Sequence, residues 1–260
     1  MEYVPAKVIE NRELAPGHGL LTLSLPEPQP EIKPGQFLQL RCDPGDRHSL
    51  MRPFSILDAN ALDNTIGVYY KGLGRLSSYL CSVPVGTELD CLYPLGTGFP
   101  WQYDWRRVAL IGGGVGLAPL LFLARHLEPY GERMQVTGFF GGASGPDLVP
   151  ELLKDYDFPQ QLATMDGSVG FQGTVVDLFS GCEDYFDVVY TCGPNAMMRA
   201  LQDVLPTAVP AFASLEERMA CGVGACYGCV AAIKAGEETE NQRVCLEGPV
   251  FELRNVVFGK

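Results

Sequence analysis

RRVALIGGGVGLAPLLFLAR, residues 106–125, is the stretch on which the reading of this chain turns. From Val108 to Ala124 it is apolar apart from its glycines, with Arg106 and Arg107 at one end and Arg125 at the other. A membrane span is one reading. Pro119 and four glycines argue against it, and the length is marginal for crossing a bilayer. A buried strand, Val108–Ile111, running through a tight turn, Gly112–Gly116, into a core helix, Leu117–Leu127, accounts for the stretch better.

The same rhythm continues downstream. A second apolar run, Gln135–Phe140, and a third strand, Asp187–Thr191, are predicted; the third ends in Cys192-Gly193-Pro194 and leads into a helix over Asn195–Leu205. Alternating strands and helices make a parallel sheet with helices on both faces. Upstream, residues 1 to about 98 carry short apolar or alternating runs, Leu20–Leu25, Phe37–Arg41, Ile66–Tyr70 and Glu88–Leu92, punctuated by Gly and Pro. That spacing predicts a small antiparallel barrel or sandwich with one short helix, Arg75–Cys81. The last fifty residues hold a cysteine cluster and two strand candidates, Val230–Ile233 and Val250–Leu253. They are too few for a large core, so a metal centre is expected to stabilise them. The expected units are a β-barrel over 1–99, a Rossmann-like domain over 100–208 and a small cluster lobe over 209–260.

Bulk properties narrow the function. Across 260 residues, 19 Lys and Arg stand against 31 Asp and Glu, a net charge of −12 that repels nucleic acid and anionic membrane surfaces. The N-terminus has no apolar core after a basic start, so secretion is not signalled and the cytoplasm is expected. Nine cysteines are an odd number for a disulfide framework. Cys42, Cys81, Cys91, Cys182 and Cys192 read as small buried hydrophobes.

The other four follow a pattern, Cys221-x4-Cys226-x2-Cys229-x15-Cys245. Four thiolates at C-x4-C-x2-C with a distant fourth make the plant-type spacing for a [2Fe–2S] cluster. Gly222, Gly224 and Gly228 suit a loop that must approach the sulfurs closely with φ > 0. The competing zinc site calls for C-x2-C pairs on both sides, and the second pair is missing.

Gly112-Gly113-Gly114-Val115-Gly116 lies between a strand and a helix, where bare amides and the helix dipole bind a pyrophosphate. A steric need for a tight turn would also select glycine. The run departs from G-x-G-x-x-G at its third position. In the barrel half, Arg52-Pro53-Phe54-Ser55 at a strand end offers a guanidinium for a phosphate, with a ring and a small hydroxyl for a planar cofactor. A surface arginine before a proline is the plainer alternative.

Together and in this order, these motifs resemble the ferredoxin–NAD(P) reductase superfamily. More closely, the chain resembles the electron-transfer subunits of class 1B dihydroorotate dehydrogenases, through Arg52–Ser55, Gly112–Pro119, Cys192-Gly193-Pro194-Asn195 with Met197 and Met198, and Ser214-Leu215-Glu216-Glu217-Arg218-Met219 before the cysteines. The resemblance implies FAD in the barrel, with Arg52, Pro53, Phe54 and Ser55 as its first motif and Tyr69, Tyr70 and Lys71 as its second. It implies a nicotinamide nucleotide at Gly112, Gly113, Gly114, Gly116, Cys192, Gly193 and Pro194, and the cluster on Cys221, Cys226, Cys229 and Cys245.

Two departures stand out. The third flavin motif is normally Gly-Thr, and Gly74-Arg75 replaces it here. After the second Rossmann strand, where many relatives carry an arginine, the chain reads Gly141-Gly142-Ala143-Ser144-Gly145-Pro146-Asp147, and an acid favours NAD over NADP.

What the resemblance implies of function is electron passage from an FMN-containing, dihydroorotate-oxidising subunit through the cluster and FAD to NAD, in a heterotetramer with two copies of each chain. The small subunit of a ferredoxin-dependent NADP transhydrogenase, or of a sulfur or hydrogen metabolising complex, is the alternative of the same build. No acid–base residue is expected. His18, His48 and His126 read as solvent or core histidines, and Glu217 as a carboxylate that either meets the flavin ring or is simply exposed.

Overall fold

The structure is a computed structural model that describes residues 1–26, 31–43, 45 and 50–259. Its first sheet is antiparallel and takes in β1 (Glu2–Ala15), β2 (His18–Ser24), β3 (Phe37–Leu40), β4 (Arg52–Ser55), β5 (Asp58–Asn60), β6 (Thr65–Lys71) and β7 (Glu88–Leu95), in the order β4-β3-β7-β1-β2-β6-β5. The sheet curls until β4 comes back against β6, the barrel form of the two predicted alternatives. Inward-facing Ala6, Val8, Leu21, Leu23, Leu38, Leu40, Ile66 and Val68 fill it, with α1 (Arg75–Leu80) closing one end through Leu76 and Leu80.

The second sheet contains β8 (Arg107–Gly113), β9 (Gln135–Gly142), β10 (Gln160–Thr164), β11 (Phe171–Gln172), β12 (Val188–Cys192) and β13 (Ala211–Ser214). These six strands are parallel in the order β11-β10-β9-β8-β12-β13. Alternation along β8 sends Val108 and Leu110 to one apolar layer and Ala109 and Ile111 to the other, so both faces are buried. α2 (Leu117–Leu127) covers the first layer. α4 (Val175–Ser180) and α5 (Asn195–Val204) cover the second; α3 (Pro150–Leu153) is a single turn whose Leu152 and Leu153 join the first. Only Arg125 and His126 of α2 escape burial, and Phe122 reaches into the barrel core, so this helix is wedged between the two sheets. That position explains why it is apolar nearly all round. Among the described residues, no helix is long and apolar enough to cross a membrane.

Residues after 208 contribute to both a lobe and this sheet. β14 (Val230–Ala235) and β15 (Glu238–Arg243) form a separate hairpin, whereas β16 (Val250–Glu252) pairs antiparallel with β13, Ser214 opposite Val250. The expected strand Val250–Leu253 therefore belongs to the edge of the large sheet. The expected turn also moves. β8 continues through Gly112 and Gly113, and the turn proper is the 3-10 segment Gly114–Gly116.

Candidate cofactor sites

β4 and β6 end at a cleft of about 450 Å³ between the barrel, the parallel sheet and the start of the C-terminal lobe. Pro53, Phe54, Ser55, Tyr69, Tyr70 and Lys71 line its barrel side. Val115, Asn195 and the run Ser214–Met219 line the other. It opens into a second cleft of about 400 Å³ formed by Arg52, Lys71 and Gly74–Ser77 at the start of α1. An apolar slot with aromatic walls next to a pocket carrying Arg52, Lys71 and Arg75 fits a planar ring system attached to phosphates.

Gly74 and Arg75 both line the second cleft. Ser77 lines the same pocket, and its hydroxyl accepts from the Leu73 and Gly74 amides at 3.1 Å each. The same hydroxyl donates to Gly74 O at 3.2 Å, so it fixes the start of α1 at the pocket wall.

Tyr69 and Tyr70 are fixed from behind. Tyr69 Oη lies 2.6 Å from His18 Nδ1, and Tyr70 Oη donates to Asn11 Oδ1 at 2.9 Å. Burial and the Lys71 charge hold His18 below its usual pKa, and it is a core histidine, one of the two expected readings. His126 packs edge-on to Trp101, with burial lowering it in the same way. His48 lies outside the described residues.

Lys71 carries a feature that spacing did not reveal. Its Nζ lies 2.9 Å from Asp147 Oδ1, an ion pair joining the barrel to the loop after β9. Asp147 Oδ2 also accepts from Ser144 N and Oγ. The acid expected to suit a free ribose hydroxyl is therefore engaged by the barrel's Lys71. The Lys71 hydrogen bond, with those from Ser144, outweighs desolvation and lowers its pKa. A carboxyl depressed in the folded state stabilises above its unfolded pKa and loses that contribution as pH falls through the folded one. We expect Asp147→Asn to cost about 1 kcal/mol or less at pH 7 in urea unfolding. The difference from wild type should begin to shrink as the pH drops below about 4 and be lost as it falls through the lower folded value. A difference that persists undiminished in acid would show that the pair is not its source.

At the other end of the cleft, the Gly-rich turn after β8 meets Cys192-Gly193-Pro194 after β12. These strands are neighbours, and the chain runs outward from β8 to β9 on one side and to β12 on the other. The crevice beyond their carboxyl ends is the switch point at which open α/β sheets take ligands. The approach is close. A Cβ on Gly116 would lie 2.3 Å from the Cys192 carbonyl oxygen, and one on Gly193, whose φ is +155°, 2.8 Å from Met197 Cε.

Cys192 is buried here, with Sγ 3.9 Å from Glu216 Oε1. Burial, then the carboxylate, pushes the thiol well above its usual range. Glu216 opens onto the cleft while protein crowds its other sides, and that desolvation raises it. Sequence reading singled out Glu217, which also lines the cleft; Glu216, one residue earlier, makes the contact to Cys192.

From Met219 the chain turns directly into the cysteine loop. Gly222 and Gly224 have φ of +69° and +77°, as expected, but the third left-handed residue is Tyr227 at +56°, not Gly228. Amides point at the sulfurs: Val223 N and Cys226 N at Cys221 Sγ, 3.5 and 3.4 Å, and Gly224 N at Cys245 Sγ, 3.1 Å. Burial acts upward on Cys221, but these N–H groups outweigh it and bring the thiol down to about 7. Buried Cys245 stands at about 12. Arg243 clamps the loop, donating to Gly224 O at 3.0 Å, pairing with Glu247 and lying over the Tyr227 ring at 4.9 Å.

The backbone amides of the loop thus converge on Cys221 and Cys245, the first and last of the four cysteines. Among the described residues, no group of three or more His, Cys, Asp or Glu side chains is gathered to hold a single ion.

A curled antiparallel sheet set against a parallel sheet, with a cleft between them, is the ferredoxin reductase fold. NADH-dependent reduced ferredoxin-NADP oxidoreductase superposes with a TM-score of 0.85 over 97% of this chain and 90% of its own, at 24% identity. Phthalate dioxygenase reductase does so with 0.65 over 90% and 88%, at 18% identity. Residues 216–257 match the model of the iron-sulfur cluster binding domain of dihydroorotate dehydrogenase B. The dihydroorotate dehydrogenase B (NAD(+)) electron transfer subunit of Shouchella clausii is 41% identical over 87% of both chains, and that of Desulforamulus reducens 34% over 97% of both. The chain belongs to the dihydroorotate dehydrogenase B electron transfer subunit family.

Proposed function

We propose that this chain is the electron-transfer subunit of an NAD-dependent dihydroorotate dehydrogenase of pyrimidine biosynthesis, working in the cytoplasm with an FMN-containing catalytic subunit as a heterotetramer of two of each. The observation that carries this reading is continuity. Ser214–Met219 lines the ring cleft, and Cys221 follows two residues later. In this reading the barrel, 1–99, holds FAD, with Pro53, Phe54, Ser55, Tyr69 and Tyr70 around the ring and Arg52, Lys71, Gly74, Arg75 and Ser77 at the phosphates. The 100–208 unit takes NAD over Gly112, Gly113, Gly114, Gly116, Cys192, Gly193 and Pro194, and the 209–260 lobe holds a [2Fe–2S] cluster on Cys221, Cys226, Cys229 and Cys245.

When bound, the flavin supplies the exchange between a carrier of single electrons and a nicotinamide that takes two as hydride. The chain's own residues bind, orient and shield. Glycine at Gly113 and Gly116 lets the turn after β8 close against Cys192–Met197, which brings the two sides of the crevice together, and the Cys192–Glu216 contact marks where the crevice meets the ring cleft.

Coexpression with the catalytic subunit followed by cofactor analysis tests this. FAD, FMN and two irons per copy of this chain are expected, with NAD reduced on addition of dihydroorotate. A complex with the cofactors but without that activity would overturn the choice of partner.

A further inference from the structure

Gln39 has no role in the sites above, and its placement is unusual. Alternation along β3 sends Leu38 and Leu40 into the barrel core and turns Phe37 and Gln39 outward. Phe37 there joins an apolar layer with Leu215, Met219, Cys229, Val244 and Cys245. Gln39 accordingly lies under the cysteine loop and is 1% exposed.

Its carboxamide rests on Gly222, the residue after Cys221. A Cβ on Gly222 would lie 2.7 Å from Gln39 Cδ and Oε1 and 2.9 Å from Nε2. Gln39 Nε2 has no hydrogen-bond partner among the described residues. The strand partners facing Gln39 are Pro53 and Leu92, whose side chains carry no acceptor. A buried donor left unpaired costs about 1–3 kcal/mol, and an apolar side chain of the same size would avoid that cost. A polar group kept there without a partner points to an acceptor that the loop holds.

We propose that Gln39 donates a hydrogen bond to the sulfurs gathered by the cysteine loop, as a positioning residue that raises the reduction potential of the cluster; this rests on the four-cysteine reading above. Hydrogen bonds to the sulfurs are among the determinants of cluster potential. The reduced cluster carries one more negative charge, so each donor favours it. The three backbone amides of the loop already act in this sense, and Gln39 adds a side-chain donor from the barrel.

The test is a redox titration of the cluster by electron paramagnetic resonance in the intact two-subunit complex, comparing wild type with Gln39→Leu and Gln39→Met. Both variants fill the space and remove the donor. With iron and sulfide content unchanged, the ratio of reduced to oxidised cluster at a fixed potential should fall about tenfold, equivalent to ~59 mV for a one-electron couple. An unchanged potential in both loaded variants would overturn this inference and leave the four-cysteine reading intact. Loss of the cluster from both would make Gln39 a structural prop and also overturn it. A wild-type complex lacking two irons on this chain would defeat the four-cysteine reading first.

Discussion

Cys245→Ser is expected to abolish dihydroorotate-dependent NAD reduction while NADH oxidation by ferricyanide through the flavin continues near the wild-type rate. Cys245 is buried and receives the Gly224 amide at 3.1 Å, so its sulfur stands at the inner side of the loop. A serine hydroxyl keeps the size but does not supply the soft thiolate that iron–sulfur cores take. Loss of an outer partner of a metal ligand costs 10–100-fold, so loss of the ligand should cost more than about a hundredfold. The split between the two assays makes the experiment specific. A variant that loses both has lost its fold or its flavin, and one that keeps both would remove Cys245 from the ligand set.

Gly116→Ala should be strongly damaging for a single methyl group. Its Cβ would sit 2.3 Å from Cys192 O, 2.5 Å from Cys192 C and 2.7 Å from Gly193 N, all backbone atoms that cannot rotate away. Overpacking of this kind costs about 1–3 kcal/mol, and rigid neighbours put this case at the top of the range. Thermal unfolding should fall by about 5–10 °C, and NAD should bind more weakly, because β8 and β12 must part where the crevice forms. Gly114→Ala is the control. Its φ of +59° strains any other residue, but no atom lies within 4 Å of the new methyl, so it should cost about 1–2 kcal/mol. Gly116 has a φ of −63°, open to any residue, so an effect no larger than that of the control would mean that the approach to Cys192 relaxes at little cost.

Three strands of the parallel sheet, β8, β9 and β12, were legible as apolar runs, while β10, β11 and β13 were not; α2 matches its expected span, Leu117–Leu127. β1 was not predicted, although it is the longest strand. Only Ala6 and Val8 of its fourteen residues are buried, so little alternation marks it. β15, Glu238–Arg243, is polar throughout because its hairpin lies against solvent, and it carries no pattern at all. α4 did carry a signal. Thr174 caps it by accepting from Asp177 N, the Thr-x-x-Asp form of a capping box before an apolar run.

Site residues divide in the same way. Cysteines, glycines and the Arg52–Ser55 motif declare themselves by local spacing. Gln39 against Gly222, Lys71 with Asp147 and Cys192 with Glu216 are pairings between distant segments, set by how the two sheets dock, and nothing local encodes them.

The pairing of Ser214 with Val250 has a consequence for speed. The 35-residue excursion from 215 to 249 leaves and re-enters the same sheet edge at adjacent rungs, so its two feet stand together. A lobe tethered at one end must swing and wait for a productive encounter; one planted on two feet keeps its distance from the ring cleft fixed. The interval an electron must cross inside this subunit is then a constant of the architecture, and any waiting in the relay falls at the boundary with the neighbouring subunit or at the exchange of nucleotide.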